Sequence, residues 1–262
     1  MLNFWDIVNV YLAENNREAH AALYFELLSE DETASDRKIF THNADREIAS
    51  ASIIKLHIAA FLREEVLAGN KSLDEKISID KSKEILGNGI LKFLNDGHEL
   101  SVKELAKLML GISDSFASDI LIDYLGMDAI NDWLKTSGYE NTRINKYFMT
   151  IEPDAEVNVT SVRDTAMILK YFYKLAQEED QYAQEIIATL LEQEKHGGLT
   201  INLDYDAKIA HKTGVWENLE HNAGIFFMPK ADYVLVMFTQ GVQNQKAKNY
   251  MGQLSRDIYD YL

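Results

Sequence analysis

No cysteine occurs in the 262 residues, which excludes disulfides, thiolate metal sites and thiol nucleophiles while fitting either redox compartment. Proline is nearly absent, with 2 residues, and no linker rich in Pro, Gly or Ser, no repeat and no low-complexity tract offers a seam for a second domain. Positive charge is scarce. The 26 Lys and Arg against 42 Asp and Glu leave a formal net charge of −16, which disfavours nucleic acid or an anionic membrane as the main partner. No apolar stretch approaches the ~20 residues a membrane-spanning helix needs. The N-terminus, Met1-Leu2-Asn3-Phe4-Trp5-Asp6, has no basic region and meets an acid early. The expectation is therefore no secretory signal, with a cytoplasmic location as the chain stands or an extracytoplasmic one if a leader has been removed. No His-x-x-x-His and no carboxylates at metal-ligand spacing are found, so neither metal nor other cofactor is expected.

What is present is a chain that is 47% hydrophobic and long enough to bury a substantial core. Apolar spacing predicts a helix over 4–14, strands over 21–28 and 38–41, then helices over 53–67, 85–94, 102–110, 116–124, 129–134, 162–175 and 182–191. Strand patterns return at 207–211, 224–227 and 233–239, and a helix over 251–261 closes the chain. Two strands cannot bury themselves alone. The layout therefore predicts an α+β fold: a five-stranded antiparallel sheet from both ends of the chain, flanked by helices, with an inserted all-helical lobe. The expected division is one domain over 1–262, with a sheet lobe from 1–50 and 200–262 and a helical lobe from 51–199. A cleft between them is the natural place for a site.

Ser52-Ile53-Ile54-Lys55 opens the apolar run of the first long helix. Residues three apart on a helix share a face, so the amine of Lys55 can reach the hydroxyl of Ser52. A serine hydroxyl needs a base to become a nucleophile, and a lysine serves if desolvation and a second cation lower its pKa. The same spacing recurs at Ser78-Ile79-Asp80-Lys81, but among charges, and that copy reads as solvated surface. Two further motifs would converge on the cleft. Ser113-Asp114-Ser115 falls in a turn between two predicted helices, and Lys212-Thr213-Gly214 ends a predicted strand. Ser113 is placed to relay a proton to a leaving group, and Lys212 to depress the pKa of Lys55 and attract a substrate carboxylate. Thr213 can hydrogen-bond that carboxylate, Gly214 leaves room for substrate along the strand, and the N–H groups of Ser52 and Val215 form an oxyanion hole.

Ser-x-x-Lys, Ser-Asp-Asn and Lys-Thr-Gly in that order are the signature of class A β-lactamases and penicillin-binding proteins. The chain resembles that group from about residue 21 to its end, with Ser52 and Lys55, Ser113 to Ser115, and Lys212 to Gly214 at similar separations. The resemblance implies a serine hydrolase acting through an acyl-enzyme on Ser52, with Lys55, Ser113 and Lys212 as the other catalytic residues. Ser115, Thr213, Gly214 and Val215 would bind substrate: a small molecule or peptide with a carboxylate. Several positions depart from the pattern. Ser115 replaces the usual asparagine, and the place of the family's deacylating glutamate falls on Phe148, which cannot activate water. Glu152-Pro153 echoes the family's Glu-Pro pair only with an insertion, so Glu152 is either a water-activating base or a solvated loop carboxylate. The arginine that many members use on substrate carboxylates is missing near Ala223-Gly224-Ile225, where His221 is a partial substitute or a structural residue. Weak or absent β-lactam turnover is expected. A peptidase or esterase of the same fold, and a non-catalytic penicillin-binding or sensor-like protein, remain open. His57 reads as a packed core histidine and Trp216 as lining the cleft mouth.

Overall fold

The structure is a computed structural model, and it describes residues 4–13, 20–28, 39–83, 87–149 and 155–262. Helix α1 (Phe4–Ala13) leads into strands β1 (Ala21–Leu27) and β2 (Ile39–His42), followed by the two-residue β3 (Ile48–Ala49). A 3-10 turn (Ala51–Ile54) runs directly into α2 (Lys55–Leu67). After the short strands β4 (Lys76–Ser78) and β5 (Glu99–Ser101) come α3 (Val102–Gly111), α4 (Ser115–Leu125) and α5 (Met127–Thr136). Strand β6 (Val159–Thr160) precedes α6 (Val162–Gln177) and α7 (Gln181–Leu191). The chain then returns to sheet in β7 (Ile209–Trp216), β8 (Leu219–Phe226) and β9 (Tyr233–Gln240), and ends in α8 (Asn244–Tyr261).

The main sheet has five antiparallel strands in the order β2-β1-β9-β8-β7. The pairing of β1 with β9, from Ala21 opposite Thr239 to Leu27 opposite Tyr233, joins the two ends of the chain. Its strands do not show the clean polar alternation of a half-exposed sheet, because both faces are covered. On one face Ile209, Phe226, Tyr233, Leu235 and Met237 meet Val8, Tyr11 and Leu12 of α1 and Met251, Leu254 and Ile258 of α8. On the other, Ala210, Ala223, Ile225, Val234, Val236 and Phe238 join the large core built with α2 and α6. Helix α2 is buried all round from Lys55 to Arg63, as expected for a helix apolar on every side.

Side-chain caps fix where the helices begin. Ser101 and Glu104 form a capping box on α3, Asp114 caps α4, Ser161 caps α6 and Asp180 caps α7; each satisfies N–H groups that a helix start leaves unpaired.

Two expectations are corrected. Of the helix expected over 85–94, the described residues 87–94 hold only a 3-10 turn, Leu91–Phe93, because the N–H groups of Ile90 and Leu91 are taken by the Asp114 carboxylate. Lys212-Thr213-Gly214 lies in the middle of β7 instead of ending a strand. The small sheets β3–β6 and β4–β5 were not anticipated, since strands of two or three residues carry no readable period. Ser78, the decoy serine, is exposed on β4. The predicted ends of the first helix at 14 and of the second strand at 38, and Glu152-Pro153, lie outside the described residues.

Candidate active site

Ser52 reaches the site on the 3-10 turn, one step before the helix that the apolar run suggests. Ser50 N–H donates to the Asn158 carbonyl at 2.7 Å, and Ala51 adopts a φ of +44°. A non-glycine residue in the left-handed region costs about 1 kcal/mol or more, and here that strain is held immediately before the serine. The 3-10 geometry eclipses residues i and i+3, which keeps Ser52 and Lys55 on one side. Ser52 is half-buried and lines a cavity of about 280 Å³ together with Ser115, Val215, Trp216, Lys146 and Phe148. Lys55 is fully buried behind it.

Lys55 Nζ donates to the Ser113 carbonyl at 2.9 Å, to Ser113 Oγ at 3.3 Å and to the Asp114 carbonyl at 3.4 Å. From the opposite side Lys212 Nζ donates to the same Ser113 Oγ at 3.0 Å and to the Thr213 carbonyl at 2.9 Å. One hydroxyl thus bridges two buried lysines, one on α2 and one on β7. Ser113 itself has a φ of +59°, a second left-handed residue at the site. The turn that forces it is pinned by Asp114, whose Oδ1 caps Ala117 N–H at 3.0 Å while Oδ2 accepts from Ile90 N–H at 2.7 Å and Leu91 N–H at 3.0 Å. Gly89, with a φ of +124°, permits this approach: a Cβ there would lie 2.0 Å from Asp114 Oδ2. The middle residue of Ser-Asp-Ser is therefore an organiser of the turn.

Burial drives the Lys55 pKa down to about 7, helped by the Lys195 charge and opposed by Asp114 and Asp119. Lys212 is pushed well below its ordinary value by burial, then by the charges of Lys55 and Lys195. Two ammonium groups sharing one buried hydroxyl repel, so at least one is readily neutral. Desolvation and a second cation, Lys212, were expected to depress Lys55. Burial is the leading cause, the two lysines repel each other across Ser113, and a further cation, Lys195, a half-buried residue that no motif marks, acts on both.

Strand β7 is an edge of the sheet and lies against the 3-10 turn. Gly214 was expected to leave room for substrate; a Cβ there would instead lie 2.9 Å from Ile53 Cγ1 and 3.1 Å from the Ser50 carbonyl. Its bare backbone lets β7 close on the serine turn, which brings Val215 and Ser52 to the same cavity. Thr213 is buried beside Lys212, and Ser115 lines the cavity. His221 is no carboxylate partner. It is fully buried, bonded to the Ala49 carbonyl at 2.9 Å and stacked 4.1 Å from Phe238, and burial lowers its pKa to about 4. His57 packs edge-on to Tyr139 at 5.2 Å, as a core histidine.

Phe148 lines the same cavity, and its ring centroid lies 4.5 Å from Lys55 Nζ. The Phe148 and Met149 N–H groups donate to Asp119 at 2.7 and 2.9 Å, which fixes the ring. Asp119 is pushed up to about 6, chiefly by burial. Asn158 locks the neighbouring segment: its Oδ1 accepts from Asn145 and Lys146 N–H at 2.8 and 2.9 Å, and its Nδ2 donates to the Lys146 carbonyl at 3.0 Å. No sequence signal marks Asn158, Asp119 or Lys195, because each acts through contacts far along the chain. Among the described residues no group of His, Asp and Glu could hold a metal ion, and no helix is long and apolar enough to cross a membrane.

A family model described as the beta-lactamase enzyme family matches residues 4–262. The extended-spectrum beta-lactamase PER-1 of Pseudomonas aeruginosa is 28% identical over 175 residues, a stretch that covers 62% of this chain and 56% of that protein. The solved structure of PBP-A is 26% identical with a TM-score of 0.82, covering 98% of this chain and 94% of that one. A beta-lactamase from Sphaerobacter thermophilus DSM 20745, at 23% identity, superimposes with a TM-score of 0.84 over 97% of this chain and 96% of that one, a likeness of fold.

Proposed function

The chain belongs to the beta-lactamase enzyme family, and on that premise we propose that it is a serine hydrolase that forms an acyl-enzyme on Ser52 and releases it slowly. The observation that carries this reading is the Ser113 hydroxyl held between Lys55 and Lys212 beside the cavity of Ser52. The substrate is a small molecule or peptide whose carboxylate is held by Lys212 and Thr213. Lys55, neutral in a good fraction of molecules near pH 7, takes the proton of Ser52 Oγ as that oxygen attacks the substrate carbonyl. The N–H groups of Ser52 and Val215 stabilise the oxyanion. When the intermediate collapses, the carbonyl carbon–leaving-group bond breaks, and Ser113 passes a proton to the departing nitrogen or oxygen and is resupplied from the lysines.

Deacylation needs a water activated by a base. The Phe148 ring over Lys55 is an apolar face that offers water no acceptor, and this supports a long-lived acyl-enzyme over fast turnover. A solved mutant of PBP-A is described as an acyl-enzyme complex with penicillin-G, which supports β-lactams as probes for this chain. The test is the time course with a chromogenic cephalosporin under rapid mixing. A burst of about one equivalent followed by turnover well below ~10 per second, the median enzyme rate, is expected. Steady hydrolysis at that rate with no burst would contradict slow release, and activity on acyl esters alone would favour the esterase reading.

A further inference from the structure

The cavity that holds Ser52 has opposing walls of different character. One carries Lys146, the only charged side chain that lines it among the described residues. The other carries Trp216, at the end of β7, 55% exposed beside Val215 at 51%. Lys146 Nζ reaches across to lie 5.8 Å from the Trp216 ring centroid. A cation whose facing group is a ring and not a carboxylate retains its capacity for an anion. Its placement is built in. The Asn158 side chain clasps both the N–H and the carbonyl of Lys146, and the Asn158 backbone carbonyl accepts from Ser50 N–H, two residues before the nucleophile. Lys146 is thereby held in a fixed relation to Ser52 by one buried asparagine. In a chain of net charge −16, a lone cation across an aromatic wall is a selective feature of the cavity.

We propose that the substrate's acyl arm, the part that stays on Ser52, carries an anionic group that Lys146 binds while its apolar body lies against Trp216 and Phe148. The preferred substrate is therefore dianionic, with one carboxylate held by Lys212 and Thr213 and a second negative group at Lys146. This rests on the Ser52 reading for which part of the substrate occupies the cavity: Lys146 lines it with Ser52 and Ser115, whereas Lys212 and Thr213 do not. Binding displaces Lys146 from the ring and gives the ammonium a charge partner in a partly desolvated site.

The test uses the full chain carrying Ser52→Ala, so that binding is read without chemistry, and three penicillins that differ in the charge on a phenylacetyl-type arm: benzylpenicillin (neutral), carbenicillin (carboxylate) and ampicillin (ammonium). Calorimetric titration should rank them carboxylate, neutral, ammonium in falling affinity. The extremes should differ by about fivefold, the upper end of what a partly exposed charge pair gives, and the spread should shrink as salt is raised. Adding Lys146→Met should collapse the ranking, and Lys146→Arg should keep it. Equal affinities, a ranking that survives Lys146→Met, or no binding of the carboxylate-bearing arm overturns the proposal. Acylation of the parent by benzylpenicillin is followed separately by intact mass. If no adduct forms yet the ranking holds in Ser52→Ala, the hydrolase reading fails and the anionic-arm site stands; adduct formation without any ranking gives the reverse.

Discussion

Lys55 is the base of the proposed mechanism, and two of its properties come from one cause. Complete burial pulls its pKa to about 7, which suits it to that role, and also makes it a burden on the fold. Between the folded value of about 7 and the unfolded lysine value of about 10.4, the unfolded chain binds the proton and the folded chain does not. Stability from this group therefore rises with pH across that window and is lowest below it. Acylation by a β-lactam should rise with pH around 7 as Lys55 deprotonates. Lys55→Met should lose acylation yet unfold at higher temperature at pH 7, because an apolar side chain replaces a buried amine; an unchanged or lower melting temperature would count against the assignment. In the proposed cycle, Phe148 governs release of the acyl group. Phe148→Glu puts a carboxylate where the ring now covers Lys55 and should shorten the acyl-enzyme lifetime by about tenfold to a thousandfold, within reach of a general base. Chasing a preformed adduct by mass measures it directly. Ser52, Lys55, Ser113 and Lys212 were legible because each sits in a short motif. Lys195 was not, since its proximity to both lysines comes from the fold and no local pattern records it.

At the scale of elements, the site depends on how closely β7 meets the turn before α2. Gly214 sets that distance. Gly214→Ala would place a Cβ 2.9 Å from Ile53 and 3.1 Å from the Ser50 carbonyl, forcing strand and turn apart. A loss of about 1–3 kcal/mol in denaturant unfolding is expected from such overpacking, with acylation falling about tenfold to a hundredfold as the two N–H groups separate. Wild-type acylation in that variant would show that the close contact is dispensable. Element by element, helices with a strong 3.6-residue period were readable at nearly their full length, as in α3, α4, α6 and α7. Residues 87–94 were misread because their apolar positions mimic a helix while the Asp114 carboxylate, 24 positions beyond Ile90, takes the N–H groups of Ile90 and Leu91. Strand β7 was read too short because Lys212 and Thr213 interrupt its apolar run, and both are polar yet buried.

The whole molecule places its candidate site at a seam. The sheet unites Ala21–Leu27 with Tyr233–Gln240 across most of the chain, and the helices between carry Ser52, Lys55 and Ser113 back against its edge. This much was legible in the sequence, because strands at both ends with helices between them leave few ways to bury a sheet. The closing contacts were not: the Asn158 clasp, the bridge of two lysines through Ser113 and the ring over Lys55 all join residues far apart in the chain. Together they support the proposal that the protein is acylated on Ser52 and releases the acyl group slowly. Intact mass of the whole chain after exposure to a penicillin, beside Ser52→Ala, tests that claim most directly. A single adduct of the full penicillin mass that persists for minutes or longer, and is absent from Ser52→Ala, is the predicted result. An unmodified parent that consumes no penicillin, or an adduct that survives Ser52→Ala, would contradict it.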